Sequence, residues 1–394
     1  MKNELELYIH IPFCVKKCAY CDFLSAPGTA NIQEEYMKAL QKEIIAYSQE
    51  MKEYVVTSIF LGGGTPSIIE SRLMNALFDT LHEAFVIEEG AEITIEVNPG
   101  TVVKEKLDTY RAIGINRISI GLQSTNNEEL QCLGRIHTFE EFLATYKAAR
   151  SAGFNNINVD LISAVPGQTC ESWRHTLQTV AKLQPEHISA YSLIIEEGTP
   201  FYERYNTNSE VKYPSLPTEE TDRQMYEDTQ LMLKEYGYHR YEISNYAKEG
   251  YECKHNIGYW KRKEYLGLGI GSASLLNHTR FSKLTSIKEY LNKSADMEAE
   301  MFKEAVTVNR ERLSLREETE EYIFLGLRMV EGIILTPELL ENYKDIIVKY
   351  EKEEMLEIVK EKQVDCISQK YQYPRLKLTD KGISVSNYIL AEFL

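Results

Sequence analysis

HIPFCVKKCAYCDF, residues 10–23, closes an apolar run and sets Cys14, Cys18 and Cys21 within eight positions. A structural zinc site takes four ligands, usually as two close pairs. Here the next cysteine is Cys132 and no second pair exists. Zinc would have to recruit His10 as its fourth ligand; three inert core cysteines are the other plain alternative. Three thiolates at CxxxCxxC suit a cubane iron–sulfur cluster with one iron left open for a small ligand. Tyr20 and Phe23 are placed to screen such a cluster from water, while Lys16 and Lys17 read as solvent-facing.

Working outward, LELYIHI (5–11) is the first of six β-type runs. The others are VVTSIFL (55–61), AEITIEV (91–97), INRISIGL (115–122), NINVDLI (156–162) and EHISAYSL (186–193). Segments with helical spacing and charged faces lie between them, and Gly114 and Gly153 stand where a helix C′ residue with positive φ is expected. This alternation predicts βαβ units around a parallel sheet. Six units fall short of the eight of a closed barrel, which leaves an open, partial barrel or a doubly wound sheet. In either, ligands bind at the C-terminal strand ends. The cysteines, GGGTP (62–66), Glu96, Asn98, Gln123 and Asp160 all gather at that rim.

The balance of 44 basic and 60 acidic residues, a formal −16, argues against nucleic acid and anionic lipid as partners. No stretch approaches the ~18 apolar positions of a membrane span, and MKNELELYIHIPFC lacks a signal-peptide core. Seven cysteines, three of them bunched, do not make a secreted disulfide framework. A reducing, cytoplasmic setting follows, with membrane contact at most transient and through partners.

The pattern changes near residue 205, so the division expected is a partial barrel over 1–205 and an α+β accessory domain over 206–394. Aromatics crowd YGYHRYEISNYAKEGYECKHNIGYW (236–260), and the chain ends in helices, a strand, a turn and a helix that hint at a winged-helix shape. With no basic recognition helix, a packing module is the plainer reading of that end.

The string CxxxCxYC over 14–21 resembles the signature of the radical S-adenosylmethionine (SAM) superfamily. The resemblance implies a partial (β/α)6 barrel, in keeping with the six units. It also implies a [4Fe–4S] cluster on Cys14, Cys18 and Cys21 whose fourth iron is chelated by SAM, and reductive cleavage of SAM to a 5′-deoxyadenosyl radical. YIHIPFC (8–14), FLGGGTPS (60–67), EVNPG (96–100), GLQS (121–124) and VDLISAVPGQT (159–169) resemble the oxygen-independent coproporphyrinogen III oxidase family. YEISNYA (241–247), HNIGYW (255–260), GLGIGSAS (267–274) and FLGLR (324–328) resemble its heme-chaperone branch, the HemW type. Asp22-Phe23 follows Cys21 where the oxidase has a further cysteine in a CxxCxC pattern, which speaks against decarboxylation of porphyrinogen propionates.

By this resemblance Gly62, Gly63, Gly64 and Thr65 contact the methionine end of SAM, and Glu96, Gln123, Arg135 and Asp160 hold the rest of it. Glycines admit backbone groups close to a ligand, and the planar Arg135 fork suits a carboxylate. The alternatives are a tight turn for the glycines and structural hydrogen bonds for the polar residues. Tyr8 corresponds to a tyrosine near substrate and SAM, with core packing as its ordinary role. His255 is the candidate heme ligand and Cys253 its thiolate competitor; an aromatic-rich interface around a hydrogen-bonded histidine is the alternative.

The function implied is a heme chaperone passing heme to apo-hemoproteins, respiratory ones among them, with an electron donor for the cluster and room for a homodimer. The alternative is the oxidase itself, converting coproporphyrinogen III propionates to vinyls; a scaffold that keeps a cluster only for folding is the third.

Overall fold

The computed structural model describes residues 2–206, 213–360 and 373–394. Cys366 and the start of the polar run after 206 lie outside them. All six expected strands form: β1 (Asn3–Ile11), β2 (Tyr54–Gly63), β3 (Ile87–Val97), β4 (Arg117–Gln123), β5 (Ile157–Ser163) and β6 (His187–Ser192). They pair in parallel in chain order. Helices α1 (Ala30–Tyr47), α2 (Ser71–Ala84), α3 (Lys104–Ala112), the short α4 (Asn127–Cys132), α5 (Phe139–Ser151) and α6 (Cys170–Lys182) connect them. Thr29, Thr138 and Thr169 cap α1, α5 and α6 through their side chains, a contribution of about 1 kcal/mol each.

Strand pleating sorts the two faces. On β1, Leu5, Leu7, Ile9 and Ile11 join a core with Met37, Leu40 and Ile44 of α1, all fully buried. Each such side chain contributes ~1.5–3 kcal/mol. The opposite face carries Glu6, His10, Ser58, Glu92, Arg117, Ser119, Asn158 and His187, buried as well but polar. A sheet apolar outside and polar inside is what a barrel with a ligand at its mouth requires.

The chain after β6 continues the same sheet on both sides. Following α7 (Pro200–Asn206) and α8 (Glu219–Glu235), β7 (His239–Arg240) and β8 (Asn245–Ala247) add antiparallel strands beyond β6. After α9 (Lys254–Trp260), β9 (Tyr265–Leu268) runs parallel to β1, and β10 (Ala273–Leu276), β11 (Thr279–Lys283) and β12 (Thr307–Arg312) extend from it. Helices α10 (Ile287–Asp296) and α11 (Ala299–Val306) lie between β11 and β12. Among the described residues twelve strands thus form one open sheet, and much of 213–312 packs into its core, with Tyr241, Ala247 and Met329 in a small cluster beside it.

A second core begins at α12 (Leu315–Gly326) and unites Ile323, Leu327, Ile347, Tyr350, Leu376 and Phe393. Its order is α12, β13 (Ile333–Ile334), α13 (Pro337–Asn342), α14 (Lys344–Lys352), β14 (Leu356–Val359) and β15 (Arg375–Leu378), then α15 (Asp380–Ile383) and α16 (Ser386–Ala391). The antiparallel order β13-β15-β14 gives this end the winged-helix arrangement its sequence hinted at.

Candidate functional site

The loops after the strands enclose a cavity of about 380 Å³ at the C-terminal rim of the sheet. Cys14, Cys18, Cys21, Gly63, Gly64, Thr65, Glu96, Gln123, Arg135 and Asp160 all line it. Six segments scattered over 147 residues of chain therefore converge on one space.

Backbone hydrogen bonds fix the cysteine loop from three sides. Cys14 N–H donates to Ala26 C=O at 3.1 Å, and Ala19 N–H to Leu133 C=O at 3.0 Å. Gly64 and Thr65 N–H groups reach back to the carbonyls of Ile11 and Phe13 at 2.9 and 2.7 Å. A Cβ on Gly64 would stand 2.7 Å from Phe13 O, and one on Gly63, at φ +111°, 2.5 Å from the His10 ring. Here the glycines let the loop pack directly against the chain's own Phe13 backbone and His10 ring. Gly62 lies just behind the wall, where a Cβ would press on the Glu96 carboxyl at 3.2 Å.

The polar residues are positioned by one another. Thr65 Oγ1 lies 3.4 Å from Cys14 Sγ and accepts from Asn98 Nδ2 at 2.7 Å. Arg135 donates through Nη2 to Asn98 Oδ1 (2.7 Å) and Gly121 O (2.8 Å), and through Nη1 to Cys18 Sγ at 3.5 Å. The fork expected to be free for a ligand carboxylate is thus engaged inside the protein. Ser119 and Asn158 donate to Asp160 at 2.9 and 2.7 Å, and Gly63 N–H donates to Glu96 at 3.1 Å.

Burial, reinforced by the Asp160 charge, raises the Glu96 carboxyl to about 8; burial also raises Asp160. Burial lifts the Cys21 thiol to about 11, so a metal binding there displaces its proton.

Tyr8 does not line the cavity. Its ring stacks on Phe60 at 6.3 Å and its hydroxyl meets His10 Nδ1 at 3.1 Å. His10 in turn donates from Nε2 to Leu24 O at 2.8 Å, which leaves it no nitrogen for zinc.

Nor does the structure bring His255 to the cavity. It lies on α9, 1% exposed, against the polar face of the sheet. Its ring stacks on Phe60 at 5.3 Å and Nδ1 meets Ser58 Oγ at 2.8 Å. Burial depresses its pKa to about 3, with the Arg117 charge adding to the effect, while Nε2 has no hydrogen-bond partner. Cys253 is fully buried, its thiol donating to Glu92 at 3.4 Å and its pKa raised by burial.

Sequence reasoning placed Asn98 on the rim without seeing it join two cysteine neighbours; an amide after a strand carries no such signal. Tyr191, Ile162 and Ser119 on the wall were also missed. Their places follow from the pleat of β4, β5 and β6, since Ser119, Asp160 and the β6 residues beside them share one face.

The donor set favours something larger than one ion. Among the described residues no three His, Cys, Asp or Glu side chains gather closely enough to share a single metal ion. The three thiols instead stand around a space with hydrogen-bond donors behind two of them. Soft thiolates around such a space fit an iron–sulfur cluster.

Residues 8–180 match the radical SAM superfamily. The chain is 34% identical over 395 residues to the heme chaperone HemW of Lactococcus lactis, covering 100% of this chain and 98% of that protein. It is 39% identical over 272 residues to the heme chaperone HemW of Escherichia coli, covering 68% and 69% of the two chains. Among solved structures, coproporphyrinogen III oxidase (HemN) from Escherichia coli, a radical SAM enzyme, superposes with a TM-score of 0.81 at 22% identity over 100% of this chain and 90% of its own. That last likeness carries the fold alone.

Proposed function

Because the chain belongs to the HemW heme-chaperone family within the radical SAM superfamily, we propose that it binds heme and delivers it to apo-hemoproteins, with a SAM-ligated [4Fe–4S] cluster on Cys14, Cys18 and Cys21. The observation that carries the cofactor reading is the shared cavity. Three thiols line it together with Gly63 and Gly64, where a Cβ would stand within 2.7 Å of the neighbouring segment of the chain, and the half-buried acids Glu96 and Asp160. When bound, the cluster and SAM supply one-electron chemistry at the sulfonium.

The chain's own residues do the rest. Gly63 and Gly64 let the ligand lie against backbone. Glu96 and Asp160, whose carboxyls burial drives toward the neutral form, ionise when a cationic sulfonium or ammonium comes beside them. Gln123, at φ +76°, turns the end of β4 into the cavity wall. Phe23, 64% exposed, stands at the wall near the position of the oxidase's extra cysteine. No observation favours the decarboxylase reading.

For heme, His255 offers a neutral imidazole with Nδ1 held by Ser58 and Nε2 unpartnered, the state of a metal-ligating histidine. Its burial means that ligation requires α9 to leave the sheet. Respiratory hemoproteins as acceptors, an electron donor for the cluster, a homodimer and a cytoplasmic location with transient membrane contact belong to the same reading. No helix among the described residues is long and apolar enough to cross a membrane.

The test is anaerobic reconstitution of the full chain with iron and sulfide, followed by heme titration and transfer to an apo-hemoprotein. A four-iron EPR signal that changes on SAM addition, stoichiometric heme and acceptor loading are expected. Protoporphyrinogen formation from coproporphyrinogen III, or absence of the cluster signal, would overturn the reading.

A further inference from the structure

Thr65, Asn98 and Arg135 form an unbroken hydrogen-bonded bracket between two of the three cysteines. Asn98 Nδ2 donates to Thr65 Oγ1 at 2.7 Å, so the threonine hydroxyl hydrogen is free to point at Cys14 Sγ, 3.4 Å away. Asn98 Oδ1 accepts from Arg135 Nη2 at 2.7 Å, and Nη1 of the same guanidinium reaches Cys18 Sγ at 3.5 Å. The opposite orientation of the Asn98 amide would set donor against donor at Arg135, so its direction follows from its partners. The bracket is itself anchored: Arg135 also donates to Gly121 O at 2.8 Å, and Thr101 N–H and Oγ1 donate to Asn98 O at 3.2 and 2.6 Å. Asn98 is hydrogen-bonded to neither cysteine, yet it orients both of the groups that are.

We infer that Asn98 is a positioning residue that sets the reduction potential of the cluster by holding Thr65 and Arg135 as hydrogen-bond donors to the sulfurs of Cys14 and Cys18. This rests on the cluster reading above. A donor to a ligating sulfur withdraws electron density and favours the reduced cluster, and such outer contacts tune iron–sulfur potentials. Two donors from one rigid bracket move together, so loss of the hub costs both.

The test is an EPR-monitored redox titration of the reconstituted full chain without added SAM, with iron and sulfide counted per chain. Thr65→Val and Arg135→Gln are each expected to shift the oxidised-to-reduced ratio at fixed potential roughly tenfold toward oxidised, ~59 mV for a one-electron couple. Asn98→Ala is expected to shift it at least as far, and Thr65→Ser, which keeps the hydroxyl, to stay at the wild-type value. Asn98→Ala loaded with four irons at an unchanged potential overturns the inference. Should Asn98→Ala fail to load, wild-type potentials in both Thr65→Val and Arg135→Gln overturn it instead. A wild-type chain that takes up no cluster sinks the cofactor reading and this inference together; a loaded wild type with unmoved variants sinks this inference alone.

Discussion

Glu6 Oε2 lies 3.9 Å from His255 Nδ1 where β1 meets α9, both side chains almost fully buried. Burial holds the Glu6 carboxyl up to about 8 and the imidazole down to about 3. At pH 7 the contact therefore joins two neutral groups rather than a salt bridge. Both Glu6 Oε2 and His255 Nε2 lack hydrogen-bond partners, which makes α9 an imperfectly satisfied plug against a polar sheet.

The pH dependence of stability follows with a definite sign. Folded Glu6 keeps a proton that the unfolded chain loses near 4.5, so stability falls as pH rises from about 4.5 and the loss is complete above about 8. Glu96 adds to the same decline. His255 acts oppositely: its contribution is complete above 6.5 and is lost as pH falls toward about 3. Glu6→Gln should flatten the upper limb by up to about 1.4 kcal/mol per pH unit. Urea unfolding at pH 6, 7 and 8.5 checks this; a slope equal to wild type would refute it.

Glu92 closes α9 onto the sheet. Its carboxyl accepts from Lys254 N–H at 3.1 Å, His255 N–H at 3.2 Å and the Cys253 thiol at 3.4 Å. Glu92→Ala strands these buried donors and should cost about 2–3 kcal/mol. Hydrogen exchange should quicken in residues 254–260 before it does in α1. Uniform loss of protection across the barrel would count against a local role.

Heme ligation by His255 carries a dynamic signature. Saturating heme should raise amide exchange over 254–260, because the ligand must gain access, and His255→Ala should lower heme retention and alter the Soret band. Unchanged protection of α9 in a heme-saturated chain would remove His255 from the ligand set.

Gly64→Ala places a methyl 2.7 Å from the Phe13 carbonyl, a contact with backbone that a rotamer change does not relieve. A cost of about 1–3 kcal/mol is expected, with reduced iron uptake because the loop after β2 separates from the cysteine loop. Gly90→Ala is the control: φ is +83° but no atom lies within 4 Å. It should cost about 1–2 kcal/mol through backbone strain alone and load iron normally. Equal iron content in the two variants would contradict the close-packing argument.

The six parallel strands were legible because each pairs a compact apolar run with a following helix of ordinary length. The cysteine loop, GGGT, Glu96 and Asp160 could be assigned to one rim because strand ends in such sheets share a side. What lay beyond reach was pairing between distant short segments. Strands β7 to β9 span only two to four residues each, too few for a periodic signal, and β9 meets β1 across more than two hundred residues. Around 255 the sequence left open a heme ligand or an aromatic-rich interface about a hydrogen-bonded histidine. In the fold, Tyr259 packs edge-on against His255 at 4.8 Å and against Tyr265 at 4.6 Å. Nothing in the local sequence announces that Glu6, Ser58 and Glu92 stand behind them.

The pairing of β1 with β9 bears on how the protein comes into being. The strand that delivers Cys14 can pair on one side with the nearby β2, but its other edge stays bare until Tyr265–Leu268, about 250 residues further along the chain, has been synthesised. Until then a nascent chain carries an open strand edge, a template for misassociation. The strand leading into the cysteine loop is therefore paired on both edges only once β9 has emerged.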